Sequence, residues 1–301
     1  MGHVLIGGGT GFIGRNLREI LLREKYKVTV ISRVKTGEEH IINWADIIHN
    51  GIPDNVNAVI NLTGAPIMIP LKKFGYRFKK DIWISRVGST MLLADIISQT
   101  QCKPNVFISV TNANMMYPSF GTWTEDYQPN SFMMEYNYFT SLGLYCERAT
   151  EFLPIGVRKI SIRTGTVLGH GGGFIKWLHH STSMGLGATI GNGYQYQPWI
   201  HMSDLLNLIL YSIENKKIHG ILNGVSPEIA TNGEITTTYA EISKNSVKFK
   251  IPNLVLRTLY GKERLELLSS NRQVIPFRTQ EFGFQFKYSK IKNAMSHLLC
   301  Y

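Results

Sequence analysis

The stretch Gly7-Gly8-Gly9-Thr10-Gly11-Phe12-Ile13-Gly14 follows an apolar run, His3-Val4-Leu5-Ile6, and leads into a pattern with Phe12, Ile13, Leu17, Ile20 and Leu21 on one helical face. Strand, glycine turn and helix in that order form the context in which glycine spacing specifies a dinucleotide site. One glycine permits the tight turn, one lets backbone approach a pyrophosphate, and one lets helix and strand pack closely. The pyrophosphate then rests on the N–H groups at the helix N-terminus. Gly9, Gly11 and Gly14 read as GxGxxG, and Gly8, Gly11 and Gly14 as GxxGxxG.

In such a fold the end of the second strand selects the cofactor. A carboxylate there binds a ribose 2′-hydroxyl, whereas an arginine accommodates a 2′-phosphate. Here Val28-Thr29-Val30-Ile31 ends in Ser32-Arg33, with Lys35 adding positive charge and no carboxylate in the turn. Ser32 supplies a hydroxyl and Arg33 a fork that pairs with phosphate oxygens. The expected cofactor is therefore NADP(H).

Strand-like runs recur at Lys27–Ile31, Ala58–Leu62, Val106–Val110 and Ile160–Ile162, with helical patterns around 12–24, 72–99 and 135–152 between them. This alternation predicts an α/β, Rossmann-type doubly wound parallel sheet. After Gly165 the texture changes to glycine-rich turns at Gly171–Gly173 and Gly185–Gly193 and a helix after Asp204. A nucleotide-binding domain over 1–165 and a smaller mixed substrate lobe over 166–301, interleaved with returns to the sheet, is expected.

A 301-residue chain with 44% hydrophobic and 18% charged residues can bury a large core. No apolar stretch reaches the length of a bilayer span, so no membrane partner is expected. The first strand begins almost at Met1, leaving no room for a cleavable signal. Cys102, Cys146 and Cys300 show no paired spacing, which argues for a reducing compartment and against a metal cluster. A cytoplasmic location follows, with mitochondria and nucleus left open. The net charge of +11 suits an anionic cofactor or a nucleic acid. The densest basic cluster, Lys72-Lys73 with Arg77, Lys79 and Lys80, interleaves with Phe74, Tyr76 and Phe78, and is read as the solvated face of a helix. No nucleic-acid partner is expected.

Further ordered motifs are Asn61-Leu62-Thr63-Gly64, Ser85-Arg86 with Thr90, Arg163-Thr164-Gly165 and Val167-Leu168-Gly169. Pro198-Trp199-Ile200-His201 with Asp204, Leu222-Asn223-Gly224-Val225 with Pro227, Thr231 and Asn232, Val274-Ile275-Pro276 and Gly283-Phe284 continue the series. With the glycine loop, these make the chain resemble, over essentially its whole length, the extended and atypical short-chain dehydrogenase/reductase superfamily. Within it, the chain is most similar to the epimerase-like subfamily. The resemblance implies an oxidoreductase or epimerase-type activity on a small hydroxyl or carbonyl substrate, and a homodimer formed through the two long helices. It also implies that Ser32 and Arg33 hold the adenosine phosphate end and that Leu62, Thr63 and Gly64 line the cofactor. Asp81, Arg86 and Val167 fall where family members touch it. Asp81 and Arg86, about one helical turn apart, are alternatively a local ion pair.

Reductases of that superfamily generally use a Tyr and Lys in a YxxxK pair, in which the lysine lowers the tyrosine pKa for proton transfer. The string Tyr76 to Lys80 precedes the strand that should carry the serine, and is read as a decoy. On the expected helix the tyrosine position holds Ser141 and the lysine position Tyr145. The subfamily often has Trp-Glu where this chain has Cys146-Glu147, and a tyrosine pair where it has Met115-Met116. Three replacements for the lost pair are weighed. Thr111, ending its strand, either polarises a carbonyl or is structural; Glu147 is a possible acid; His201 acts as acid or base if it faces the cofactor, with Asp204 capping the following helix. His170 and His179-His180 lack metal-ligand spacing, and no metal is expected. The competing reading is a non-catalytic NADP(H)-binding redox sensor.

Overall fold

The computed structural model describes residues 2–33, 37–38, 40–129, 137–183, 189–244 and 249–299, and builds them around one seven-stranded parallel sheet. Its strands are β1 (His3–Gly7), β2 (Lys27–Ser32), β3 (Ile41–Asn43), β4 (Val56–Asn61), β5 (Val106–Asn112), β6 (Arg158–Thr164) and β7 (Gly220–Gly224). They lie in the order β7-β6-β5-β4-β1-β2-β3. Progress along the chain runs outward from β1 through β2 to β3, then resumes at β4 on the other side. That reversal opens a crevice at the carboxyl ends of β1 and β4, where ligands of such sheets bind.

The strands read as near-continuous apolar runs because helices cover both faces. On one face Val4, Ile6 and Ile60 pack against Leu17 and Leu21 of α1 (Phe12–Arg23) and against Leu205 and Ile209 of the helix Met202–Glu214. On the other, Leu5, Val59 and Phe107 pack against Ile47 of α2 (Trp44–Asn50) and Leu93, Ala94 and Ile97 of α4 (Ser89–Gln99). β3 and α2 escape a periodicity reading because both are short. A reciprocal capping box starts α2: Asn43 Oδ1 accepts from the Asp46 N–H at 2.8 Å, and Asp46 Oδ2 from the Asn43 N–H at 3.1 Å.

The helix expected over 72–99 begins only at Tyr76. It runs as α3 (Tyr76–Trp83), one wide π-type turn Ile84–Gly88, and α4. The pattern around 135–152 becomes α6 (Tyr138–Arg148) with a 3-10 turn Ala149–Phe152, and α5 (Ala113–Met116), just after β5, packs on α6. Residues 130–136, the glycine-rich turn at 184–188, Lys35 and Cys300 lie outside the described residues.

Beyond residue 165, β7 completes the sheet edge and Met202–Glu214 covers it, so the second half of the chain shares the first core. A further core gathers Trp199 of the short strand Trp199–His201 with Ile235, Tyr239, Ala294 and Met295 of the helices Asn232–Ser243 and Ile291–Leu299. No helix among the described residues is long and apolar enough to cross a membrane.

Candidate functional site

Geometry at the turn between β1 and α1 explains its glycines. Gly8 has φ +77°, and a Cβ there would lie 2.8 Å from the Leu62 carbonyl oxygen. A Cβ on Gly14 would lie 2.6 Å from Gly9 Cα. The turn therefore closes against β4 and the helix seats on the turn, with no room for side chains. Gly11 is the N-cap of α1, and no side chain caps it. The first-turn N–H groups thus remain to meet an anion from outside the chain.

Two adjoining cavities extend from this turn along the carboxyl ends of the strands. The first, about 690 Å³, is lined by Thr10, Ser32, Arg33, Lys72, Asp81 and Ser85 among others. The second, about 480 Å³, is lined by Ile13, Leu62, Arg86, Thr111, Met115, Gly143, Cys146 and neighbours. Thr63, Gly64 and Pro66 line both and make them one cleft. Most residues expected at a cofactor therefore converge. Phe12 instead packs beneath the glycine turn at Gly169–Gly173, and Val167 packs on the core; Val167 lines neither cavity.

The wide turn Ile84–Gly88 shapes the wall between the cavities. The Arg86 carbonyl accepts from Ser89 Oγ at 2.9 Å and Thr90 Oγ1 at 2.8 Å. Asn61 ties β4 to this turn, donating to Thr90 Oγ1 at 2.9 Å while its Oδ1 accepts from the Thr63 N–H at 3.1 Å. The Ala65 N–H donates to Ser85 Oγ at 2.9 Å. Asp81 and Arg86 form no ion pair among the described residues: Asp81 faces the first cavity and Arg86 the second. Burial pulls the Arg86 guanidinium below its ordinary range, and its Nη1 is buried without a hydrogen-bond partner among the described residues.

Thr111 Oγ1 is likewise buried and unpartnered, at the end of β5 on the floor of the second cavity. Cys146 lines the same cavity, with its thiol pushed up to about 12 by burial, so it is a neutral wall rather than a nucleophile. No tyrosine lines this cavity among the described residues. Tyr145 is on the surface against Trp83, and Ser141 Oγ donates to the Asn137 carbonyl at 3.1 Å. Tyr76 of the YxxxK string is 81% exposed and outside both cavities.

Two catalytic expectations are corrected. Glu147 is not poised at the cleft; its carboxylate is held by Arg163, with Oε1 2.7 Å from Nε and Oε2 2.8 Å from Nη2. Arg163 also donates to Tyr117 Oη and the Tyr127 carbonyl, both at 3.0 Å, and Tyr117 donates to Asn223 Oδ1 at 2.7 Å. This is a saturated structural network. His201 is 2% exposed and lines neither cavity. It caps the helix Met202–Glu214 itself, Nδ1 accepting from the Ser203 N–H at 3.0 Å. Asp204, expected as that cap, instead accepts the N–H groups of Lys287 and Tyr288 at 2.9 Å each and anchors the C-terminal segment. No group of three or more His, Cys, Asp or Glu side chains that could hold a metal ion occurs among the described residues.

Sequence reasoning missed two parts of the cleft. Lys72 was read as the face of a helix, yet it lies in the loop before α3 and joins Arg33 in lining the first cavity. Leu267, on the helix Lys262–Ser269, closes the second cavity from the far end of the chain. The basic cluster was the only signal for Lys72, and Leu267 carried none.

Comparison with known proteins gives the chain's family and fold. Residues 4–223 match the model of the NAD dependent epimerase/dehydratase family, and residues 251–298 match a domain of unknown function. The chain is 33% identical over 297 residues to Epimerase family protein SDR39U1 from Homo sapiens, covering 99% of both chains. It is 28% identical over 306 residues to Epimerase family protein SSP1921 from Staphylococcus saprophyticus, covering 99% of this chain and 100% of that one. The crystal structure of human SDR39U1 (isoform 2) with NADPH superimposes with a TM-score of 0.93 at 32% identity, covering 99% of each chain. MoeE5 in complex with UDP-glucuronic acid and NAD, at 18% identity and a TM-score of 0.77 over 99% of this chain and 98% of that one, shares the fold.

Proposed function

Because the chain belongs to the NAD-dependent epimerase/dehydratase family, we propose that it binds NADP(H) along the cleft and exchanges a hydride with a small hydroxyl- or carbonyl-bearing substrate. The observation that carries this reading is the continuity of the cleft: Thr63 and Gly64 line both cavities, so one extended ligand can reach from Arg33 to Thr111. The human relative's structure with NADPH supports the same cofactor.

Arg33, Ser32 and Lys72, which line one cavity, would hold the 2′-phosphate, and the uncapped start of α1 the pyrophosphate. The bound nicotinamide supplies the carbon that gives or takes the hydride. Thr111 Oγ1 donates its hydrogen bond to the substrate oxygen as charge develops there, and solvent entering the open cleft gives or takes the proton that accompanies the hydride. Ile13, Leu62 and Met115 give part of this cavity an apolar lining.

One observation favours a second reading, a non-catalytic NADP(H) sensor: the absence of any tyrosine lining the second cavity among the described residues. Titration of the purified protein with NADPH and NADH, followed by absorbance assays against a panel of aldehydes, ketones and hydroxy compounds, separates the two. Turnover of any panel member supports the enzyme. Tight NADPH binding with no turnover supports the sensor, and failure to bind NADPH sinks both.

A further inference from the structure

Among the described residues three arginines are almost wholly buried, and two of them make four hydrogen bonds each. Arg163 is neutralised by Glu147. Arg264 donates to the carbonyls of Tyr260, Ile67, Ile69 and Lys72. Arg272, 8% exposed, differs from both. Its Nε–H donates to the Tyr117 carbonyl, its Nη1 is buried without a hydrogen-bond partner, and no carboxylate pairs with it among the described residues. Arg264 shows that carbonyls alone can hold a buried guanidinium; in Arg272 the buried Nη1 is left unbonded, which is unfavourable until an acceptor from outside meets it.

Arg272 lines a separate cavity of about 260 Å³, together with Asn114, whose Oδ1 is also buried and unpartnered. This cavity shares Leu267 with the second cavity of the cleft, and the consecutive residues Asn114 and Met115 of α5 face one cavity each. Burial brings the Arg272 guanidinium down to about 10, which leaves it charged at neutral pH.

We propose that the Arg272 cavity is a substrate subsite for a carboxylate, and that the substrate is a small hydroxy or oxo acid whose reacting carbon lies under Thr111. This rests on reading the second cavity as the reaction face. The guanidinium fork matches a carboxylate in plane, and the Asn114 carboxamide offers either its oxygen or its NH2 alongside. A phosphate dianion suits the site less, because Glu263 and Glu266 also line it. Glu263 is already engaged by Lys79, with 2.8 Å from Nζ to each oxygen, and Glu266 lies 4.0 Å from Lys262 Nζ, which leaves the Arg272 charge for a single further carboxylate.

The test uses NADPH-loaded protein titrated calorimetrically with lactate, malate, 2-oxoglutarate and glucuronate, each beside its neutral amide or ester. At least one acid should bind in preference to its neutral counterpart, and Arg272→Gln should weaken that binding tenfold or more while leaving NADPH affinity unchanged. Equal binding of acid and neutral partner, or equal binding by the variant, overturns the subsite. Should Arg272→Gln fail to fold, Asn114→Leu blocks the same cavity: lost acid binding supports the proposal and unchanged binding overturns it. The same acids titrated into cofactor-free protein keep the two readings apart: acid preference lost in Arg272→Gln supports the subsite there too, its absence overturns it, and failure to take NADPH defeats the cofactor reading alone.

Discussion

Glu147 and Arg163 face each other through two parallel hydrogen bonds of 2.7 and 2.8 Å, and the arginine side chain is completely buried. Removing either partner strands the other charge in the interior. Arg163→Met should therefore cost about 3–5 kcal/mol of unfolding free energy. Glu147→Gln should destabilise in the same direction, and urea denaturation measures both. Were Glu147 the proton donor of a reaction, Glu147→Gln would abolish turnover at unchanged stability, and that outcome would refute the structural assignment.

Acid should destabilise the protein through His201. Its Nδ1 already accepts the Ser203 N–H, so the neutral ring carries its proton on Nε2 and donates to His297 Nδ1 at 3.2 Å. Burial, with His297, His170 and Lys287 nearby, pushes its pKa down to about 3 from the ordinary 6.5. Between those values the unfolded chain binds a proton that the folded chain refuses. Stability is complete above about pH 6.5 and falls as pH drops towards 3, with a limiting slope of about 1.4 kcal/mol per unit. His201→Asn retains a capping side chain and should flatten this slope in melting curves taken from pH 7 to 4. An unchanged slope would show that other groups dominate.

The glycine turn should tolerate no Cβ. Gly8→Ala meets both a left-handed φ, worth about 1–2 kcal/mol against a non-glycine residue, and the Leu62 carbonyl at 2.8 Å. Gly14→Ala presses on Gly9 Cα. Both variants should lose NADPH binding by fluorescence titration, with far-UV circular dichroism near wild type. Retained affinity in Gly14→Ala would mean that the pyrophosphate sits elsewhere.

Discrimination between the two nicotinamide cofactors should reside at the end of β2. A charge-assisted hydrogen bond contributes about 1.5–3 kcal/mol, so Arg33→Ala should weaken NADPH roughly 10- to 100-fold. NADH affinity should stay as it was. An equal loss for both cofactors, or for neither, contradicts the 2′-phosphate role.

Thr111→Val removes the unpartnered hydroxyl but keeps the shape of the strand end. Loss of one donor to a developing oxyanion lowers kcat by about 100- to 1000-fold. The expected pattern is a fall in kcat of that order on any substrate found, with NADPH affinity unchanged. An unaltered kcat would leave Thr111 a structural residue.

The glycine turn, the alternation of strands and helices, and Ser32-Arg33 were all legible in the chain because they are local. Positive φ, close backbone approach and apolar runs are written in neighbouring residues, and from them follow the parallel sheet and the cradle at its switch point. The roles of charged side chains were not legible in this way. Glu147 and His201 look catalytic until a partner 16 residues away and a histidine 96 residues away occupy them. Arg272 looks ordinary until the fold buries it against Tyr117, 155 residues earlier, and leaves its Nη1 without a partner among the described residues. Whether a charge is spent on structure or left for a ligand depends on which distant group meets it in a low-dielectric interior. Tertiary packing alone decides that.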